Sequence, residues 1–161
     1  MLFLIFYINA EVYPVFDREY YDTLLSLLAH AKKEIIVAMF EAGTFKGKWD
    51  AVYKVYENLI KARKRGVSVK VLLEFSNWNE RVNEKNFSIG EFLKRNGIKV
   101  YYDNPKKCLH CKFVVVDSIY TLVGSSNWGY YALMKNSEAN VLIKSKEIAL
   151  LFIKYFYERC K

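Results

Sequence analysis

Two apolar runs, Leu109–Val116 and Tyr120–Val123, are separated by little more than Asp117–Ser118, a spacing that predicts two strands joined by a tight turn. The polar residues in and after this hairpin are the most informative in the chain. His110, Lys112, Asp117, Gly124, Ser125 and Asn127 read H-x-K-x4-D-x6-G-S-x-N. Side chains alternate faces along a strand, so His110 and Lys112 share one face while Cys111, Phe113 and Val115 share the other. An imidazole beside a fixed ammonium suits a phosphate that must be held and attacked. Lysine supplies charge for the non-bridging oxygens, and histidine supplies a nucleophilic nitrogen or a proton. Gly124-Ser125-Ser126-Asn127 follows a strand and precedes a short helix over Trp128–Met134, where hydroxyl, amide and backbone N–H groups suit an anion. Alone, that tetrapeptide would read as a helix cap. Its spacing from His110 and Lys112 is what points to chemistry.

The rest of the chain alternates helices with strands. Met1–Ile8 opens an apolar stretch that reads as a buried first strand running toward Phe16. Asp17 can cap a helix with Leu24, Leu25, Leu27, Leu28 and Ala31 on one side, followed by the continuous apolar run Ile35–Phe40. A helix over Asp50–Arg65 stops at Gly66, and a strand over Val67–Phe75 follows. A shorter helix over Ser88–Arg95, strands at Ile98–Tyr102 and around Val141–Ile143, and a closing helix over Lys146–Arg159 complete the pattern. No repeat or Pro/Gly-rich linker interrupts it, which implies one domain over residues 1–161. The expected fold is α/β, a mixed, largely parallel sheet flanked by helices on both faces.

Composition narrows the class of partner. The 161 residues are 53% hydrophobic and 26% charged, with a formal net charge of +8, which excludes a disordered tail and tilts toward phosphate-rich partners. Three cysteines do not make a disulfide-stapled scaffold, so a reducing, cytoplasmic setting is expected. Met1–Ile8 is too short to span a bilayer, which takes about 20 residues, and stable membrane insertion is not expected. The alternative is export or tethering through a trimmed N-terminal segment.

The six spaced residues resemble the H-K-D motif of the phospholipase D superfamily, with every fixed position of its longer form present. Lys135-Asn136-Ser137-Glu138 resembles the acidic segment that follows the motif. Length, element order and the single motif are most similar to the small one-motif nucleases of that superfamily. The resemblance implies two-step phosphodiester cleavage without a metal or other cofactor, by a phospholipase D/nuclease-like sandwich. His110 would attack phosphorus and form a phosphohistidine, while a second His110 protonates the leaving oxygen and then activates water. Lys112, Ser125 and Asn127 would bind phosphate oxygens, and Glu138 would accept a hydrogen bond from the other imidazole nitrogen. Asp117 belongs to the motif, but at the turn it reads as structural or indirect.

The chain has two histidines, His110 and His30. His30 falls on the polar side of its helix, near the C-terminus. Two-histidine chemistry therefore requires two chains, a twofold homodimer with both His110 side chains around one phosphate. Nucleic acid, DNA or RNA, is the expected substrate of an endonuclease of this kind. Lys107, just before the catalytic strand, could grip a polyanion, and Trp78 and Trp49 are the surface candidates for base stacking. Cys108 and Cys111 lack a second Cys/His pair for a zinc site. A lipid hydrolase or phosphatidyl transferase is the alternative, and a non-catalytic nucleic-acid-binding module is the third reading.

Overall fold

The computed structural model describes residues 9–160; the strand and anchor readings of Met1–Ile8 lie outside them. Among the described residues there are seven strands: β1 (Glu11–Phe16), β2 (Glu34–Met39), β3 (Ser68–Leu73), β4 (Lys99–Tyr102), β5 (Lys112–Val116), β6 (Tyr120–Gly124) and β7 (Ala139–Lys144). Five helices connect or follow them: α1 (Glu19–His30), α2 (Ala51–Lys64), α3 (Glu80–Arg95), α4 (Tyr130–Met134) and α5 (Lys146–Arg159). The strands form one sheet in the order β1-β7-β6-β5-β2-β3-β4.

The continuous apolar run of β2 is explained by its place inside the sheet, between β5 and β3. Ile35, Val37 and Met39 join the core beneath α1, α2 and α3, while Ile36 and Ala38 pack with Phe113, Val115 and Phe156 on the α5 side. A strand covered on both faces has no polar side to show. Helices thus flank both faces, as the alternating pattern requires.

The sheet is mixed but not largely parallel: β2–β3 and β3–β4 are parallel, whereas β1–β7, β7–β6, β6–β5 and β5–β2 are antiparallel. The hairpin accounts for one reversal. A second follows because the chain after β6 never crosses the sheet. Trp128 donates its amide to the Glu41 carbonyl at 3.0 Å and bridges Ala42, which pins the connection at the strand ends and returns β7 antiparallel to β6.

Helix ends differ from expectation in two places. Asp17 does not cap α1, whose first residue is preceded by Arg18 without a side-chain cap; the Asp17 carboxylate instead accepts from the Glu138 amide at 2.9 Å. Helix α3 begins eight residues before Ser88, at Glu80. Its first turns are polar because Asn83 and Asn86 reach into the strand ends: Asn83 donates to the Ser76 carbonyl at 2.7 Å, and Asn86 donates to the carbonyls of Phe40 and Glu74. Asp50 caps α2, accepting from Val52 at 2.8 Å, and Gly66 ends it at φ +94°.

The turn between β5 and β6 places Asp117 and Ser118 at φ 55° and 56°, the left-handed pair at the centre of a turn closed by the Ile119 amide on the Val116 carbonyl. Asp117 accepts the amides of Lys32, Lys33 and Glu34 at 2.7–3.2 Å. The carboxylate thereby holds the α1–β2 connection at the edge of the sheet away from Lys112. Asp117→Ala is expected to cost about 2 kcal/mol in urea unfolding while leaving activity per folded molecule within twofold. A larger loss of activity than of folded protein would show that Asp117 also shapes the site.

Candidate active site

The carboxyl ends of β2, β3 and β6 and the amino ends of β5 and β7 meet at one edge of the sheet. Strand ends where the chain direction changes leave a crevice with unpaired backbone groups, the usual ligand position in open α/β sheets. Lys112 is the first residue of β5 and faces Met39, the last residue of β2. His110 therefore lies beside Phe40, with the two ring centroids 4.5 Å apart. The Lys112 ammonium sits 5.0 Å from the Phe40 ring centre, 3.3 Å from His110 Nδ1 and 2.8 Å from the His110 carbonyl oxygen, to which it donates. His110 is exposed while Lys112 retains 8% of its surface. The pairing of His110 with Lys112 inferred from alternation is present, although β5 starts at Lys112 rather than Leu109.

Burial pushes the Lys112 ammonium below the usual lysine range, with the negative charge of Glu138 among the influences pulling the other way. A desolvated cation beside an exposed imidazole is a receptor for an anion that both can touch.

The second half of the motif is shaped by Asn140, which sequence reading did not single out. Gly124 pairs with Asn140 across β6–β7, and a Cβ at position 124 would lie 2.5 Å from the Ala139 carbonyl oxygen. Only glycine admits that approach. Asn140 accepts from the Ser126 amide and donates to the Ser126 hydroxyl at 3.0 Å, fixing the turn that presents Ser125 and Asn127. Ser125 donates its hydroxyl to Glu138 and accepts the Ala139 amide at 3.1 Å. Asn127 Oδ1 is buried with no hydrogen-bond partner.

Glu138 departs from the role the resemblance implies. Its carboxylate receives Ser125 and the Asn136 side chain, whereas the side-chain neighbour of His110 Nδ1 is Lys112. The reason is local: the Asp17 carboxylate and the Ser125 hydroxyl hold Glu138 and Ala139 by their amides, which keeps the carboxylate over Ser125. Asp117 is also not brought to the site, since it closes the far end of β5. His30 lies at that far edge too, in the same surface depression as Asp117 and Tyr120.

Lys107 and Trp78 lie on adjoining loops, tied by the Asn77 amide donating to the Pro105 carbonyl at 2.9 Å. Both are exposed. Trp49 is exposed as well, with Lys54 beside its ring, while Trp128 is buried and donates to the Tyr20 hydroxyl. Cys108 neighbours Asn79, and Cys111 packs toward α5.

Glu74 is the functional candidate that the linear pattern concealed. It ends an apolar strand run, and it is fully buried. Its carboxylate accepts the Leu109 amide at 2.5 Å, the Ser76 amide at 3.0 Å and the Asn79 amide group at 3.2 Å. Burial alone would raise its pKa, but these hydrogen bonds outweigh it and hold the carboxyl below the usual range. Because the bond to Leu109 fixes the residue before His110, Glu74 is a positioning residue.

Fold and site together can be set beside known proteins. Residues 24–160 match the family described as "Cardiolipin synthase, PLD-like domain". Cardiolipin synthase B from Salmonella typhi is 32% identical over 138 residues, which is 86% of this chain and 30% of that protein; the chain thus spans about a third of the length of this relative. Nuc, a phospholipase D family member from Salmonella typhimurium, superposes with a TM-score of 0.77 over 94% of both chains at 23% identity. NucT from Helicobacter pylori does so with a TM-score of 0.74 at 17% identity, over 94% of this chain and 96% of that one. The chain belongs to the phospholipase D superfamily and shares the fold of these two structures.

Glu74→Gln is expected to lower stability by about 1–3 kcal/mol at pH 7, because a neutral amide cannot accept all three donors. Folding lowers the Glu74 pKa, so its contribution is in force above the ordinary carboxylate range and fades as pH falls through the folded value. The gap between wild type and variant in thermal unfolding should therefore shrink between pH 5 and pH 3. A gap constant over that range would show that Glu74 is not ionised at neutral pH.

Proposed function

We propose that the chain is a metal-independent endonuclease that cleaves DNA or RNA through a phosphohistidine, at a site shared by two copies. The observation that supports this reading is the half-site: Lys112 reaches His110 Nδ1, the charge of Glu138 acts on Lys112, Ser125 is bonded to that carboxylate, and the other histidine of the chain lies at the opposite edge of the sheet.

In the first step the His110 nitrogen attacks phosphorus, the P–O bond to the leaving nucleoside breaks, and His110 of the second copy donates a proton to that oxygen. In the second, that same imidazole takes a proton from water. The water oxygen then bonds to phosphorus, and the P–N bond breaks to restore His110. Lys112 and Asn127 hold the non-bridging oxygens throughout. Attack through Nε2 requires Nδ1 to carry the proton. Lys112 is a donor toward Nδ1 in the single chain, so Nδ1 must exchange it for an acceptor; Glu138 is the carboxylate proposed for that role.

An apolar surface supports pairing with a second copy. Beside Cys111, a groove of about 280 Å³ is lined by Phe113, Val123, Leu151, Phe152 and Tyr155. Leu150 and Leu151 of α5 are exposed, as are Val12 and Phe16 on the edge strand β1. An apolar surface on the α5 side of the sheet, left uncovered in the single chain, supports contact with a second copy. Phosphatidyl transfer is the second reading, favoured by the 32% identity to a cardiolipin synthase.

Cleavage of single-stranded DNA or RNA in EDTA, lost on the order of 10⁴-fold or more in His110→Ala, is the expected result. Turnover of cardiolipin or phosphatidylglycerol with no nucleic-acid cleavage would select the second reading. Light scattering should show a dimer at micromolar concentration, and Leu151→Glu should yield an inactive monomer with wild-type circular dichroism; a fully active monomer would sink the shared site. Because Lys112 loses its proton at lower pH than an ordinary lysine, about 10.4, kcat/KM should fall on the alkaline side below that pH.

A further inference from the structure

A polar cleft of about 360 Å³ opens beyond Asn127, between the first turn of α3 and the helix α4. Its walls include Glu41, Arg81, Lys85, Asn127, Tyr130 and Tyr131. Nothing in the half-site chemistry uses it apart from Asn127. Lys85 is paired with Glu41 at 2.5 Å, while Arg81 is exposed and has no ion-pair partner among the described residues. The cleft therefore carries one uncompensated positive charge. Tyr131 is 71% exposed, and its ring is perpendicular to that of Tyr130, with centroids 5.8 Å apart, so the two rings do not stack face to face and much of the Tyr131 ring is open to solvent.

We infer that this cleft is a subsite for the nucleotide flanking the scissile phosphate in a single-stranded nucleic acid, with Arg81 on the neighbouring phosphate and Tyr131 stacking on the base. The inference rests on the nuclease reading and names its substrate form. A fixed charge and an open aromatic face within one cleft match the two repeating features of a single strand, its phosphates and its bases. Asn127, a residue of the half-site motif, is one of the residues lining the cleft. Its buried, unpartnered Oδ1 is an acceptor awaiting a donor, and a sugar hydroxyl or base amino group supplies one. A duplex would keep its bases stacked on each other and leave the Tyr131 face unused.

The test compares a single-stranded oligonucleotide with bis(4-nitrophenyl) phosphate, a diester with no flanking nucleotide. Arg81→Ala and Tyr131→Ala should each raise KM for the oligonucleotide about tenfold, and at least fivefold more than any change on the small diester. Tyr131→Phe should restore the oligonucleotide KM, since the ring face remains. Arg81→Ala should also reduce the salt dependence of binding by a slope of about 0.7. If wild type cleaves the oligonucleotide and neither alanine variant shifts its KM, the subsite is wrong while the nuclease reading stands. If wild type hydrolyses the small diester or a lipid but no nucleic acid, the nuclease reading fails and the subsite with it.

Discussion

The antiparallel pairing of β5 with β2 is the constraint on which the rest of the site depends. It sets Lys112 against Met39, so Phe40, one residue beyond Met39, and His110, two residues before Lys112, meet at the end of the sheet. A slip of one residue would exchange the faces of β5 and turn Lys112 into the core that holds Phe113 and Val115. Register here is not left to the hairpin alone. Asp117 ties the far end to the amides of Lys32 to Glu34, and Trp128 ties the near end to Glu41 and Gly43. Gly43 has to be glycine for that second tie, because a Cβ there would lie 2.7 Å from the Trp128 carbonyl oxygen.

Buried charge is the second theme. Glu74 and Lys112 are both nearly inaccessible, and each is tolerated for a different reason. Glu74 is satisfied by backbone and side-chain N–H groups and so stays ionised as a structural clamp. Lys112 is held by a carbonyl oxygen, an imidazole and an aromatic face, with no carboxylate bonded to it. That difference separates scaffold from site: an ionised group that is fully satisfied holds position, and one left short of counter-charge binds a ligand. Asn86 contributes to the same framework by joining the ends of β2 and β3 through Ala42, Phe40 and Glu74.

Much of the fold was legible in order and type. Periodicity located α1, α2, α5 and strands β2 to β7 to within a few residues, because each carries a sustained apolar face or a short buried run; β1 is mostly exposed and was not marked in that way. The start of α3 was not legible, since Asn83 and Asn86 look like loop residues until the strand ends they bond to are in place. The direction of β7 was hidden for a similar reason: strand alternation says which residues face inward, not which way the next strand runs. Likewise Glu74 and Asn140 carry no local signature, as their partners Leu109 and Ser126 are distant in sequence.

By itself the sequence determined the chemical inventory: one histidine spaced two residues from a lysine, a Gly-Ser-x-Asn turn after a strand, and an acidic residue beyond it. Those follow from strand alternation and fixed spacing, which are local properties of the chain. Only the tertiary structure decided what surrounds them. It placed Phe40 against the imidazole, moved Asp117 and His30 to the opposite edge, turned Glu138 toward Ser125, and opened the Arg81–Tyr131 cleft beside Asn127. Each of those depends on contacts between segments tens of residues apart, and such contacts are set by sheet order and register rather than by any local pattern.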